Sequence, residues 1–256
     1  MSLPSRKITH AQKSKRKPIL LSIFAILVLL IGVFIGYVSD YYEADETAYA
    51  FLETTETVQY RGDSPIHFSP VDEANTGIIF YPGGKVDEVA YTPVMHPLAE
   101  AGYEVFIVDM PFHLAVFDID AADDIIENNP TIEHWYLSGH SLGAAMAASY
   151  AGNNLGQLDG LILLSGYSTA DLSTSNLPVL SIYGTNDEVL NLEKLVEYQP
   201  NLPDNTIEQT IEGGNHAQFG RYGEQAGDGE AEISIEEQLA ITVDSIQSFI
   251  TENSQK

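Results

Sequence analysis

Cysteine is absent from all 256 residues. Disulfides, thiolate metal sites and a cysteine nucleophile are thereby excluded. Positive charge is scarce: 11 Lys and Arg face 37 Asp and Glu, for a formal net charge of -26. Its distribution says more than the total. Arg6, Lys7, Lys13, Lys15, Arg16 and Lys17 all precede residue 18, and the first acid is Asp40. Beyond that point five bases stand against every acid in the chain. A segment so acidic repels nucleic acid and anionic lipid surfaces and stays soluble, so no nucleic-acid partner is expected. Internal repeats and low-complexity tracts are also lacking. Hydrophobic residues make up 44% of the chain, ordinary for a folded domain.

One long apolar run is present. Residues 18–38 read PILLSIFAILVLLIGVFIGYV and contain no charge. As a helix at about 1.5 Å per residue they reach roughly 31 Å, the thickness of a bilayer core. A basic flank precedes the run, and Tyr37, Tyr41 and Tyr42 stand where an interfacial aromatic belt lies. The expected organisation is a basic cytoplasmic tail (1–17), a single transmembrane anchor (18–38), a stalk (39–56) and an extracytoplasmic domain (57–253). The rival is a cleaved signal peptide, with Ala48-Tyr49-Ala50 resembling an A-x-A site. The run is long for an h-region and that site lies ten residues beyond it, so an anchor in the cell membrane is preferred.

From residue 57 strand-like and helix-like segments alternate. Residues 57–61 and 65–69 flank Gly62-Asp63 as an opening hairpin. Strands are expected at 76–84, 103–111, 134–141, 160–166, 178–184 and 205–214. Helices are expected at 88–101, 114–128, 142–151, 192–199 and 234–250. Near-continuous apolar strands separated by helices predict an α/β fold, a mostly parallel sheet covered by helices on both faces. In such sheets chemistry gathers outside the carboxyl ends of the strands.

At one such end stands Gly139-His140-Ser141-Leu142-Gly143, a G-x-S-x-G sequence. It follows an apolar strand and opens a small-residue helix, the setting a nucleophilic serine in a tight turn requires. The glycines leave room for strand and helix to approach, and the helix N-terminus favours developing negative charge. A serine hydroxyl needs an adjacent base. Of seven histidines only His216 follows Ser141 at a distance, in the loop Gly213-Gly214-Asn215-His216 after the last strand. His67, His96, His113 and His134 read as packing or surface residues, and His140 points elsewhere by strand alternation. The base needs a carboxylate. Asp187, in the loop after strand 178–184, is preferred over Asp171 and the more remote Asp204. An oxyanion takes its first N–H from Leu142, and its second from the Tyr81-Pro82-Gly83-Gly84-Lys85 loop: Gly84, or else Lys85. The Lys85 side chain either attracts a substrate carboxylate or pairs with an acid such as Asp87.

The segments YPGGKVD, GHSLG, YGTNDEV and GGNHAQFG, in that order, resemble a compact bacterial α/β-hydrolase family, often with an N-terminal membrane segment. The resemblance spans residues 57–250. It implies an eight-stranded-type sheet and hydrolysis of a carboxylic ester or related acyl bond. It assigns Ser141 as nucleophile, Asp187 as acid and His216 as base. No cofactor and no metal are implied, and the partner is a small-molecule acyl substrate. Only residues 167–177 separate two strands where many relatives carry a cap domain, so an open site is expected. Acyl transfer on the same residues, or a silent binding domain on the same fold, are the alternatives.

Overall fold

A computed structural model describes residues 16–254. The chain forms two compact units, one ending at Asp40 and one running from Tyr41 onward. The basic tail expected at 1–17 lies almost wholly outside the described residues. The first unit is the helix α1 (Arg16–Val38). Its window Ile19–Val38 has a mean hydropathy of 3.1, long and apolar enough to cross a membrane.

The second unit is built on one eight-stranded sheet. Its strands are β1 (Val58–Asp63), β2 (Ile66–Pro70), β3 (Thr76–Tyr81), β4 (Glu104–Ile107), β5 (His134–His140), β6 (Gly160–Leu164), β7 (Val179–Gly184) and β8 (Ile207–Ile211). The spatial order is β1-β2-β4-β3-β5-β6-β7-β8. Only β2 runs against its neighbours; every pair from β4 to β8 is parallel. Strand alternation divides the interior in two. Ile78 and Phe80 of β3 face one core, while Ile79 and Tyr81 face the other. The first core is closed by α3 (Thr92–Glu100) and α7 (Ile235–Asn253), the second by α4 (Ala121–Asn128) and α5 (Leu142–Asn153). A further helix, α6 (Leu192–Tyr198), follows β7. Leu161, Ile162, Leu163 and Leu164 of β6 are all fully buried, as a strand covered on both faces must be. Each such side chain contributes about 1.5–3 kcal/mol by leaving water. Between β6 and β7, residues 165–178 form neither helix nor strand, so no sizeable cap covers this edge.

Two expectations change. Residues 114–128 are not one helix: a short 3-10 turn spans Ala115–Phe117 and α4 begins only at Ala121. The cause is distant in sequence. The Tyr81 hydroxyl donates to the Ile119 carbonyl (2.7 Å) and accepts from Ala122 N–H (2.9 Å), so a β3 side chain sets the helix start. Residues 41–56, read as stalk, belong to the compact unit. The helix α2 (Glu46–Tyr49) is capped by the Asp45 carboxylate, and Ala48 is fully buried. Asp45 also pairs with Arg221 at 2.9 Å. The stalk reading failed because its acids look solvated in sequence, while Ala48 and Tyr42 supply the apolar contacts.

Candidate active site

Three loops meet at the carboxyl edge of the parallel strands. The first follows β5. Ser141 sits at φ 52, ψ -116, a backbone region that side chains avoid, and α5 starts at the next residue. Sequence explains why the turn is possible. A Cβ at Gly143 would stand 2.1 Å from the Tyr81 carbonyl oxygen, and one at Gly139 would stand 2.5 Å from Gly143 C. Both obstacles are backbone, so both positions must be glycine. Ser141 N–H donates to Leu164 O at 2.9 Å, which ties the turn to β6.

The second loop follows β7 and carries Asp187. Its side chain is fully buried and its carboxylate fully engaged. Oδ1 accepts the N–H groups of Val189 (3.0 Å) and Leu190 (2.7 Å). Oδ2 accepts the Ser165 hydroxyl at 2.7 Å and lies 2.9 Å from His216 Nδ1. Burial pushes the carboxyl up, but the hydrogen bonds from His216, Leu190 and Ser165 outweigh it and hold the group below the usual carboxylate value.

The third loop follows β8 and carries His216, which is 1% exposed. With Nδ1 engaged by Asp187, the ring has its Nε2 buried and without a hydrogen-bond partner among the described residues. The second and third loops are stitched together: Asn186 N–H donates to Gly214 O (2.8 Å), and Gly213 N–H to the Thr185 hydroxyl (2.8 Å). A Cβ at Gly184 would meet Gly214 O at 2.2 Å, so this closeness again depends on glycine.

The structure therefore brings Asp187 and His216 into contact and sets Ser141 at the same sheet edge, beside His140, whose ring centroid is 4.5 Å from that of His216. Asp171 caps Ser173 instead. For the oxyanion loop the two candidates separate. Lys85 N–H is committed to His113 O at 2.7 Å, which removes Lys85 as the second donor. Gly83 N–H is committed to the Tyr91 hydroxyl at 3.0 Å. Gly84 remains, packed so closely on Leu142 that a Cβ there would lie 2.9 Å from Leu142 Cδ2. Leu142, first in α5, has an N–H that no helical carbonyl can accept. The Asp87 carboxylate, one suggested partner for Lys85, accepts from Val89 N–H and the Tyr49 hydroxyl.

Sequence reasoning missed four residues around the site. His140 does not point away from it: its ring packs on that of His216, and its Nδ1 lies 2.8 Å from the Tyr91 hydroxyl. Burial first, and then His216, push its imidazole well below the ordinary value, so it stays neutral. Ser165 holds Asp187 from the end of β6. Gln238 of α7 clamps Asn215 reciprocally, accepting from its N–H (3.0 Å) and donating to its carbonyl (2.8 Å). Asp228 gives a role to the segment after His216. Its carboxylate accepts the N–H groups of Ala217 (2.8 Å), His216 (3.3 Å) and Glu188 (3.3 Å), bracing the second and third loops together. Removing it frees the His216 ring to shift, and a misplacement of about 1 Å of a group that acts in catalysis costs on the order of 100-fold. Asp228→Ala is accordingly expected to lower kcat about 10- to 100-fold with KM little changed. Asp228→Asn, which keeps one acceptor oxygen, should recover most of it. Steady-state kinetics on a short ester decides.

The description "Alpha/beta hydrolase family" belongs to the family model that matches residues 77–240. No curated protein matches the chain in sequence. Among solved structures it is similar to Est1E from Butyrivibrio proteoclasticus, with a TM-score of 0.54 and 15% identity over 77% of this chain and 100% of that one. It is also similar to the carboxylesterase CesB (YbfK) from Bacillus subtilis, with a TM-score of 0.57 and 11% identity over 80% and 95% of the two chains. The naproxen esterase from Bacillus subtilis gives a TM-score of 0.56 and 11% identity over 80% and 94%. At these identities the structural likeness speaks for the fold. The family match covers more than half of the chain, from β3 through the loops bearing Ser141, Asp187 and His216 into α7, and on it the protein belongs to the alpha/beta hydrolase family.

Proposed function

We propose that the protein is a serine hydrolase that cleaves a carboxylic ester or related acyl bond through a covalent acyl-enzyme, without a cofactor. The observation carrying this reading is the buried Asp187–His216 pair, 2.9 Å apart with Nε2 left over, at the sheet edge where Ser141 occupies a strained turn. The Ser141 hydroxyl attacks the acyl carbon while Nε2 takes its proton. The imidazolium so formed is stabilised by the Asp187 carboxylate, which is held ionised. Negative charge on the carbonyl oxygen is received by the N–H groups of Leu142 and Gly84. The intermediate then collapses, and the alcohol leaves with the proton from His216. Water attacks the acyl-serine by the same route in reverse roles, returning the serine and releasing the acid. A neutral His140 adds no competing positive charge beside His216.

The helix α1 serves as a single-pass anchor in the cell membrane, with the catalytic unit outside. Cleavage after Ala50 removes Tyr42, whose N–H and carbonyl pair with Lys85 O and Asp87 N–H, and the buried Ala48. That loss from the compact unit favours retention of the segment over processing there.

The test is a fluorophosphonate probe applied to the folded full-length protein in detergent, followed by peptide mapping. Covalent labelling at Ser141 is expected. A folded protein that stays unlabelled there overturns the reading and favours a binding role.

A further inference from the structure

The oxyanion loop and the nucleophile turn meet at one buried hydroxyl. Tyr91 ends a 3-10 turn (Glu88–Tyr91) that runs into α3, and its side chain is fully buried. Two groups reach its oxygen, Gly83 N at 3.0 Å and His140 Nδ1 at 2.8 Å. A backbone N–H can only donate, so the phenolic oxygen accepts from Gly83. Among the described residues its own proton finds its acceptor in His140 Nδ1. That nitrogen is then bare, and the His140 ring carries its proton on Nε2. Burial pushes the phenol up and the imidazole down, so ionisation does not break this chain near neutral pH.

Each end of the chain touches a working part of the proposed site. Gly83 precedes Gly84, whose N–H is the second oxyanion donor. The peptide planes of these two N–H groups share the Gly83 Cα, so only the two soft dihedrals of Gly83 separate them. Consecutive glycines are conformationally permissive, yet a donor helps only if it is held in place before charge develops. On the far side Lys85 N–H is held by His113 O at 2.7 Å. The Gly84 N–H therefore lies between two tethered peptides, and Tyr91 supplies the tether on the side of the nucleophile turn. The fit there is close: a Cβ at Gly83 would stand 2.7 Å from Tyr91 Oη and 2.9 Å from His140 Nδ1. At the other end, His140 directly precedes Ser141 and lays its ring on that of His216, with centroids 4.5 Å apart. The Tyr91 ring is itself packed on Phe80 of β3, with centroids 4.7 Å apart.

We propose that Tyr91 is a positioning residue for the reaction: its hydroxyl clamps the Gly83 peptide so that the Gly84 N–H meets the oxyanion, and through His140 it ties that donor to the ring on which His216 rests. This rests on the serine-hydrolase reading and adds to it the group that sets the oxyanion loop.

The experiment uses the full chain in detergent. Tyr91→Phe deletes one atom and leaves Gly83 N–H and His140 Nδ1 buried without their partner. Active sites are counted by exhaustive fluorophosphonate labelling. Per labelled site, kcat on p-nitrophenyl acetate is expected to fall about 10- to 100-fold, with KM within about threefold. Butylboronic acid, which forms a tetrahedral adduct on the serine, should bind more weakly by the factor lost from kcat/KM. A residue that only supports the fold would lower the number of labelled sites and the melting temperature, and leave both per-site quantities unchanged. Values within about twofold of wild type overturn the proposal. So does a fall in kcat without a matching loss of boronate affinity, because the clamp would then not act on the tetrahedral oxygen. If Tyr91→Phe does not fold, His140→Leu is read in the same way. Tyr91 still accepts from Gly83 there, so a smaller fall of about three- to tenfold is expected, and no change overturns the proposal. A wild-type protein that hydrolyses no ester and leaves Ser141 unlabelled refutes instead the serine-hydrolase reading underneath.

Discussion

Ser141→Ala is expected to lower kcat on p-nitrophenyl acetate by about 10,000-fold or more, with the melting temperature within about 2 °C of wild type. The size follows from roles that act as a unit. Without the hydroxyl, His216 has no serine proton to take, Asp187 stabilises no imidazolium formed by that transfer, and no acyl-enzyme forms. What remains is direct attack by water on a bound ester, and the residual rate reports the oxyanion donors and substrate binding. The small effect on stability follows from local structure. Half-buried Ser141 holds the turn through its backbone, with N–H on Leu164 O and carbonyl on Ala145 N–H. Alanine meets the same left-handed cost at φ 52 as serine does. Retention of more than a tenth of wild-type kcat would place the nucleophile elsewhere, and circular dichroism with a thermal melt separates that outcome from unfolding.

How far the sequence disclosed this site depended on how local each cause was. β3 and β6 were legible because their apolar runs have no polar face to bury wrongly, and Gly139 and Gly143 because a turn that tight admits no Cβ. Asp187 and His216 were legible from their places after β7 and β8, since a parallel sheet delivers both loops to one edge. The helix break before Ala121 was not legible, because the group that causes it is a tyrosine hydroxyl on another strand. His140 was misread for a related reason. Alternation along β5 fixes the face on which a side chain lies, but not which distant loop arrives there, and His216 arrives there. Ser165 and Asp228 carry no signature at all. A serine ending a strand and an acid in a polar loop become positioning groups only once the second and third loops converge.

Asp187→Asn tests the arrangement from its most buried point. The carboxylate accepts from four donors: Val189 N–H, Leu190 N–H, the Ser165 hydroxyl and His216 Nδ1. An asparagine of nearly the same volume has one acceptor oxygen. If that oxygen keeps the two backbone donors, the amide NH2 faces Ser165 and His216. The serine can rotate its proton away, but the imidazole must then present a bare Nδ1 and carry its proton on Nε2. In that tautomer it cannot take the Ser141 proton, so kcat is expected to fall about 1,000- to 10,000-fold with KM little changed. Stability should follow pH in a definite direction. Asp187 is depressed in the folded protein, so its contribution is fully present above the unfolded carboxylate value of about 4 and is lost as pH falls through the folded value. Denaturant titration should show the variant less stable by about 1–3 kcal/mol at pH 7, with the gap narrowing below pH 4. A gap that is constant with pH would mean that the ionised carboxylate does not hold the His216 loop. A kcat within tenfold of wild type would mean that His216 finds its orientation without Asp187, leaving Asp228 and Gln238 as the groups that set it.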